Sequence, residues 1–367
     1  MKAVFSPGPS YSDPNVRAYA GWVHILDLYK EGLEELGYDV FVPEVDPKLI
    51  DQSSTVSKIL SYDIVAAQQI PGDAELFLGP PGYSIAQMIA MIAGRDNNWG
   101  RGMRNFLYVW NNTDEWRDKQ LAEEYKRFNQ PYDLSPSWRW INKTALQMAD
   151  HVIACSPWVK KTYSRVIPEE KISIDFWGVD SERFHPPNVE PPGYRILFVG
   201  GDPIRKGLHY LFRALEGMEN VELWVVGCSP IGGGSNIVGV IGEPGKNVRV
   251  KQFGMVPHEE MIKIYQQCHV LCLPTLEDGI ALAIQESMSC GLVPITSPET
   301  SEVFDDGDSG FRVGYRAVES IREKLEWLRY DNLRRGMSVR ARELAEQQTW
   351  EKTKEQFKEI IKREMNL

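Results

Sequence analysis

Arg205 and Lys206 sit where a buried apolar run, ILFVGG, gives way to the loop DPIRKG and then to a helical pattern that begins near Gly207. Glycines let a ligand approach the backbone, and a helix N-terminus attracts anions. Two cations there have the chemistry to neutralise a diphosphate through charge-assisted hydrogen bonds. The plainer reading is a solvated Arg-Lys pair, and spacing alone leaves both open. A second segment, LCLPTLEDGIALAIQESMSCGLVPIT, ends a buried run at Pro274 and passes through the acidic loop Glu277-Asp278-Gly279 into an apolar helix. Glu286 follows Asp278 after seven intervening residues, on that helix. A carboxylate beside an apolar stripe is costly without partners, and ribose hydroxyls would serve. The N–H groups of Gly279, Ile280 and Ala281, expected to be unsatisfied at the helix start, suit a phosphate. The alternative is an exposed capping loop and an exposed glutamate.

Other patterns fail as chemistry. No strand is followed by the G-x-G-x-x-G of a dinucleotide-binding turn; the first leads into SPGPS, the later one into GGDPIRKG. Gly239, Gly242 and Gly245 are evenly spaced but read as a loop. GEPGKN lacks the first glycine of a phosphate loop, and Asn247 stands where a magnesium-holding Ser or Thr belongs. Cys268 and Cys272 flank HVL at the start of a buried strand and read as core thiols rather than metal ligands. Asp306 and Asp308 have the spacing of a metal-holding pair, but FDDGDSG reads as a tight turn.

These loops need strands and helices to hold them. Apolar runs at 3–6, 40–42, 64–67, 106–110, 152–154, 196–199, 221–226, 248–253, 270–273 and 293–296 predict strands. Most are continuous, as parallel strands covered on both faces require. Helical patterns at 19–36, 138–148, 208–215, 259–267, 282–289 and 318–328 fall between them. The alternation predicts a doubly wound α/β architecture. Residues 180–193, DSERFHPPNVEPPG, carry four prolines and suit neither helix nor strand. They separate an expected N-terminal Rossmann-like domain at 1–185 from a second at 193–345. An amphipathic helix follows at 346–367, with Trp350, Phe357, Ile360 and Ile361 on one side. Ligands bind beyond the C-terminal ends of strands in such sheets, so two facing domains would form a cleft.

The 367 residues carry 43% hydrophobic and 25% charged side chains, as a soluble globular chain does. The net charge of −10 argues against nucleic acid held on a broad basic face. Five cysteines in this length, Cys228 among them, are no disulfide framework. No run is long enough to span a membrane, and MKAVFSPGPS does not read as a signal peptide. A cytoplasmic protein is expected.

Taken together, the two segments resemble the retaining nucleotide-sugar glycosyltransferases of family four, the glycosyl transferases group 1, which have the GT-B fold of two facing Rossmann-like domains. The family's E-G-F-G-L-P-x-x-E-A-M-A-x-G-x-P-V reads here as DGIALAIQESMSCGLVP, and its F-x-G-x…K-G as FVGGDPIRKG. ADHVIACSPWVKKTY, FWGVDSERFHP, FGMVPHEEMIKIYQQCHVLCLPT and TSEVFDDGDSGFRV are similar to further family segments, in order. The likeness is close from about 100 to 360 and weak before that.

The resemblance implies a hexosyl transfer from a nucleoside-diphosphate sugar with retained configuration, no metal and no other cofactor. It implies that Arg205 and Lys206 bind the diphosphate, with Gly279 and Ile280 lending backbone N–H groups. Glu286 would hold the ribose. Asp278, with Glu277 just before it, would lie near the sugar hydroxyls, and Gly8 would approach the diphosphate from the first domain. The C-terminal helix would cross back onto that domain. Three departures stand out: Asp278 replaces a glutamate, Gly201 stands near the place of a missing arginine, and LYVWNN puts Asn111 or Asn112 where the family has a histidine. Asparagine can hydrogen-bond a sugar but cannot take a proton at neutral pH. His24, His151, His185, His209, His258 and His269 all lie away from that strand end in sequence and are expected in core or surface roles. Front-face attack, in which the leaving phosphate oxygen takes the acceptor's proton, needs no protein base. The alternative reading is a nucleotide-sugar-binding protein without transfer activity. The acceptor is open: Trp99, Trp110, Trp116, Trp138 and Trp140 suit stacking on a carbohydrate or nucleobase as well as core packing, and Arg95, Arg101 and Arg104 suit a phosphate-bearing acceptor.

Overall fold

The computed structural model describes residues 1–8, 11, 13–51, 53, 55–84, 102–132, 135–227, 241–242 and 245–367. Two compact units emerge. One comprises Met1–Asp114, Asp133–Phe176 and Glu351–Leu367; the other comprises Glu115–Tyr132 and Trp177–Trp350. Residues 115–132 therefore pack with the second unit, although they lie inside the range expected for the first domain. Among the described residues no helix is long and apolar enough to cross a membrane.

The first unit is built on β1 (Lys2–Phe5), β2 (Asp39–Phe41), β3 (Leu76–Gly79), β4 (Arg104–Val109), β5 (His151–Ala154) and β6 (Ile172–Ile174). All pair in parallel, in the order β2-β1-β3-β4-β5-β6. The helices before residue 177 are α1 (Pro14–Tyr19), α2 (Trp22–Glu35), α3 (Thr55–Ala67), α4 (Asp114–Arg127), α5 (Pro136–Met148) and α6 (Pro157–Tyr163). The apolar run 64–67, expected as a strand, is instead the end of α3. Ile59, Tyr62, Asp63 and Ala66 are buried at helical spacing while Ile64 is 47% exposed. Four apolar residues in a row are compatible with either period, and here the longer helical stripe prevails.

The second unit is built on β7 (Arg195–Val199), β8 (Val221–Val226), β9 (Val248–Gly254), β10 (Val270–Leu273), β11 (Val293–Thr296) and β12 (Phe311–Arg312). They too are parallel, in the order β12-β11-β10-β7-β8-β9. Its helices after residue 177 are α7 (Leu208–Leu215), α8 (Met261–Tyr265), α9 (Leu282–Ser289), α10 (Val318–Trp327) and α11 (Asp331–Gln347). The last helix, α12 (Trp350–Met365), returns to the first unit. There Phe357 stacks on Tyr29 of α2 with ring centroids 4.4 Å apart. Lys354 and Lys358 pair with Glu35 at 2.9 and 2.7 Å.

Candidate functional site

In the second sheet the chain builds outward from β7 in both directions. β8 and β9 lie on one side, and β10, β11 and β12 on the other. The strand order reverses between β7 and β10, and a crevice opens beyond the carboxyl ends of strands at such a point. The loop after β7 carries Arg205 and Lys206, and the loop after β10 carries Glu277, Asp278 and Gly279. The topology thus brings together two groups of residues some seventy positions apart, as Lys206 and Asp278 show with a separation of 72.

Local chemistry shapes the first loop. Asp202 Oδ1 accepts from the N–H groups of Ile204 and Arg205 at 3.1 and 3.0 Å, closing a tight turn. Gly207 has φ +75°, and a Cβ there would stand 2.1 Å from the carbonyl oxygen of Pro274. Only glycine permits both that backbone and that approach to the end of β10. The two loops are then tied to each other: Leu276 N–H donates to the Arg205 carbonyl at 2.8 Å, as does the Thr275 hydroxyl at 3.2 Å.

The charged groups interlock. The Lys206 ammonium donates to Asp278 Oδ2. Arg205 Nη1 donates to the Glu277 carbonyl at 3.0 Å and lies 3.7 Å from the Glu277 carboxylate and 3.8 Å from that of Asp278. Lys206 and Asp278 are buried and Glu277 has no exposure at all. The pair expected on one reading as a solvated loop feature is therefore part of an enclosed ion network. Burial opposes ionisation of Asp278, but Lys206 and Arg205 outweigh it and hold the carboxyl below its usual range. One expectation is corrected: the Gly279 N–H is not unsatisfied, because it donates to Asp278 Oδ1 at 3.0 Å. Ile280 and Ala281 are buried beside it, Ala281 capping α9. Gly201 is exposed at the mouth of the first loop.

Glu286, on α9, is buried, not an exposed glutamate. His258 Nε2–H donates to one carboxylate oxygen and the Tyr265 hydroxyl to the other, each at 2.7 Å. Burial opposes its charge, and those hydrogen bonds prevail and lower its pKa. His258 thus has a core position, but one beside a candidate ligand-binding carboxylate. No spacing in the sequence couples it to Glu286, 28 residues away.

Three further residues lie about the network: Arg117 and Glu299, which the sequence reading did not single out, and Trp116, which it offered for stacking on an acceptor. Arg117 Nε, on α4, lies 3.6 Å from the Glu277 carboxylate. Trp116 Nε1–H, also on α4, donates to Glu299 at 3.1 Å. Glu299 is almost wholly buried. Burial first, and the Glu277 charge second, push its carboxyl up to about 9.

In the first unit the strand order reverses between β1 and β3, and Gly8, with φ +88°, lies in the loop after β1. Asn111 and Asn112 follow β4; Asn111 is half-buried and Asn112 is 2% exposed. The described tryptophans differ in their surroundings. Trp110 lies tilted against Trp22 with centroids 5.6 Å apart, Trp116 serves Glu299, and Trp140 is 58% exposed. Arg104 donates to the Glu364 carbonyl of α12. Trp99, Arg95, Arg101, Cys228 and Gly239 lie outside the described residues. Asp306 accepts from the Arg312 N–H at 2.8 Å and Asp308 pairs with Arg340 at 2.7 Å, within a turn that Gly307 completes at φ +81°. Cys268 and Cys272 are buried thiols, their pKa raised by that burial.

Two Rossmann-like units with this strand arrangement define the GT-B fold, and solved structures of that kind superpose over nearly the whole chain. Sucrose-phosphate synthase from Thermosynechococcus elongatus matches with a TM-score of 0.79 at 16% identity, covering 99% of each chain. Anabaena HepE, solved in complex with UDP and glucose, matches with a TM-score of 0.68 at 13% identity, covering 98% of this chain and 99% of its own. More narrowly, residues 193–331 match the family model of glycosyl transferases group 1. The GDP-mannose:cellobiosyl-diphosphopolyprenol alpha-mannosyltransferase of Xanthomonas oryzae pv. oryzae is 25% identical over 184 residues. That alignment spans 48% of this chain and 48% of that protein, so the chain matches about half the length of this curated relative.

Proposed function

We propose that the chain transfers a hexosyl group from a nucleoside-diphosphate sugar to an acceptor hydroxyl, with retention of configuration and without a metal ion. The observation that carries this reading is the meeting of Arg205, Lys206 and Asp278 at the switch point of the second sheet, within the segment that matches glycosyl transferases group 1. The UDP held by HepE and the GDP-mannose named for the Xanthomonas enzyme support a nucleotide-sugar donor.

The chemistry follows from charge. The bond from the anomeric carbon to the diphosphate oxygen breaks, and negative charge grows on the leaving group. Lys206 and Arg205 are fixed cations placed to stabilise it, the task a metal would otherwise perform. Donor phosphates compete with Asp278 for the Lys206 ammonium, and the released Asp278 turns to the sugar hydroxyls and frees the Gly279 N–H. Each Glu286 oxygen accepts one hydrogen bond already and keeps a lone pair for a ribose hydroxyl. Gly8 offers close backbone approach, and Asn111 or Asn112 a neutral partner to a sugar hydroxyl. The leaving phosphate oxygen takes the acceptor's proton while the acceptor oxygen bonds to the anomeric carbon on the same face.

A panel of UDP- and GDP-sugars screened by thermal shift, followed by NMR of the product of the best donor, tests this. A stabilising nucleotide sugar, turnover in excess chelator and a retained anomeric centre are expected. An inverted product would refute retention, and activity lost to chelator and restored by manganese would refute metal independence. Binding without turnover across acceptors would leave a nucleotide-sugar-binding protein.

A further inference from the structure

Glu277 is wholly withdrawn from solvent, and two guanidinium groups approach the same carboxylate oxygen. Arg205 comes from the loop after β7. Arg117 comes from the first turn of α4, a helix whose sequence position lies between two strands of the other unit. Leaving one member of a buried ion pair without its counter-charge is strongly unfavourable. Were Arg205 the sole counter-charge of Glu277, a phosphate that drew Arg205 away would strand that carboxylate. Arg117, at 3.6 Å, removes that conflict.

The helix does not depend on Arg117 for its place. Leu121 and Tyr125 are buried in the core of the second unit. Glu124 accepts from the Tyr210 hydroxyl at 2.6 Å and from Arg316 Nε at 2.9 Å. Trp116 is bonded to Glu299, and the Tyr125 hydroxyl donates to Asp202. Arg117 is thus presented to Glu277 by a helix already held by other contacts.

We propose that Arg117 is a positioning residue of the donor site: as the standing counter-charge of Glu277, it leaves Arg205 available to the donor diphosphate. This rests on the nucleotide-sugar reading above. Arg117 acts on phosphate affinity through Glu277 and Arg205, not by holding the nucleoside and not merely by fastening α4.

Calorimetric titration tests it, with UDP and GDP as probes against uridine and guanosine. The proteins are wild type, Arg117→Gln, Arg117→Lys, Glu277→Gln and the Arg117→Gln/Glu277→Gln double variant. Arg117→Gln should weaken the better-bound diphosphate about tenfold, the scale of one charge-assisted contact. Its nucleoside should change by less than about twofold, within the spread of independent sites. Arg117→Lys keeps the charge and should retain diphosphate affinity to within about threefold. In the Glu277→Gln background, Arg117→Gln should add less than about twofold. Equal weakening of diphosphate and nucleoside, an undiminished effect in the Glu277→Gln background, or unchanged affinity would each overturn the inference. Should Arg117→Gln fail to fold, Arg117→Lys decides it: retained preference for diphosphate over nucleoside supports the role, and collapse of that preference overturns it. Wild-type protein that binds neither UDP nor GDP would overturn the donor-site reading and this inference with it, before any variant is made.

Discussion

The two units share a scaffold and differ in what they place beyond the carboxyl ends of its strands. Among the described residues each has six parallel strands and a reversal of strand order beside its first strand. There the second unit gathers buried Lys206, Glu277 and Asp278 and partly exposed Arg205 into an ion network. The first presents Gly8 and, after β4, the neutral amides of Asn111 and Asn112. Parallel-sheet topology decides where a site can form, and side-chain type decides what that site can hold. A charged network suits a diphosphate, whereas glycine and amides suit close approach and hydrogen bonding to uncharged hydroxyls.

Buried carboxyls sharpen the contrast. Asp175, after β6 in the first unit, is fully buried, and its carboxyl is pushed up to about 8 by that burial. Asp278 is buried in the second unit and its pKa moves the opposite way, because Lys206 and Arg205 lie against it. The same residue type is neutral in one place and ionised in the other, and the presence of cations is what differs.

The largest expected effect tests the ion network. Lys206→Gln should lower turnover by about 10²–10³, the scale of losing one preorganised group that stabilises developing charge. Turnover within about tenfold of wild type, in a folded variant, would remove the ammonium from the leaving group. Next is Glu286→Ala, which should weaken nucleoside diphosphate binding by about 1.5–3 kcal/mol, read by titration. Equal affinity in the folded variant would end the ribose assignment.

The buried-carboxyl contrast predicts a pH dependence. The folded pKa of Asp175 is raised, so its contribution is intact at and below the unfolded value near about 4. That contribution is lost as pH rises toward about 8, by at most roughly 1.4 kcal/mol per pH unit. Urea denaturation at pH 5 and pH 8 should show Asp175→Asn losing less stability across that interval than wild type. An identical loss in both would acquit Asp175. The smallest expected effects lie at the neutral amides. Half-buried Asn111, truncated to alanine, should lower turnover by up to about tenfold with little change in Tm, as a transition-state contact does. Nearly enclosed Asn112 should instead cost about 1–3 kcal/mol of stability. Wild-type turnover in both would remove these amides from the sugar.

Sequence alone marked nine of the twelve described strands, because continuous apolar runs report strands covered on both faces whatever lies across from them; it passed over β3, β6 and β12, which are only two to four residues long. It also marked the loops after β7 and β10, because glycine, proline and paired charges punctuate strand ends locally. Where two periods fitted one short run, as at 64–67, local pattern was insufficient and packing chose the helix. Only tertiary structure decided which charges meet. Arg117 and Glu277 are 160 residues apart, His258 and Glu286 are 28 apart, and no periodicity links either pair. The docking of α4 was equally hidden. Its buried face is Gln120, Leu121, Glu124 and Tyr125, half of it polar, and a polar face reads as solvent-exposed until its partners are known. Those partners, Tyr210 and Arg316 for Glu124 and Asp202 for Tyr125, come from loops and helices that only the folded sheet order sets beside it.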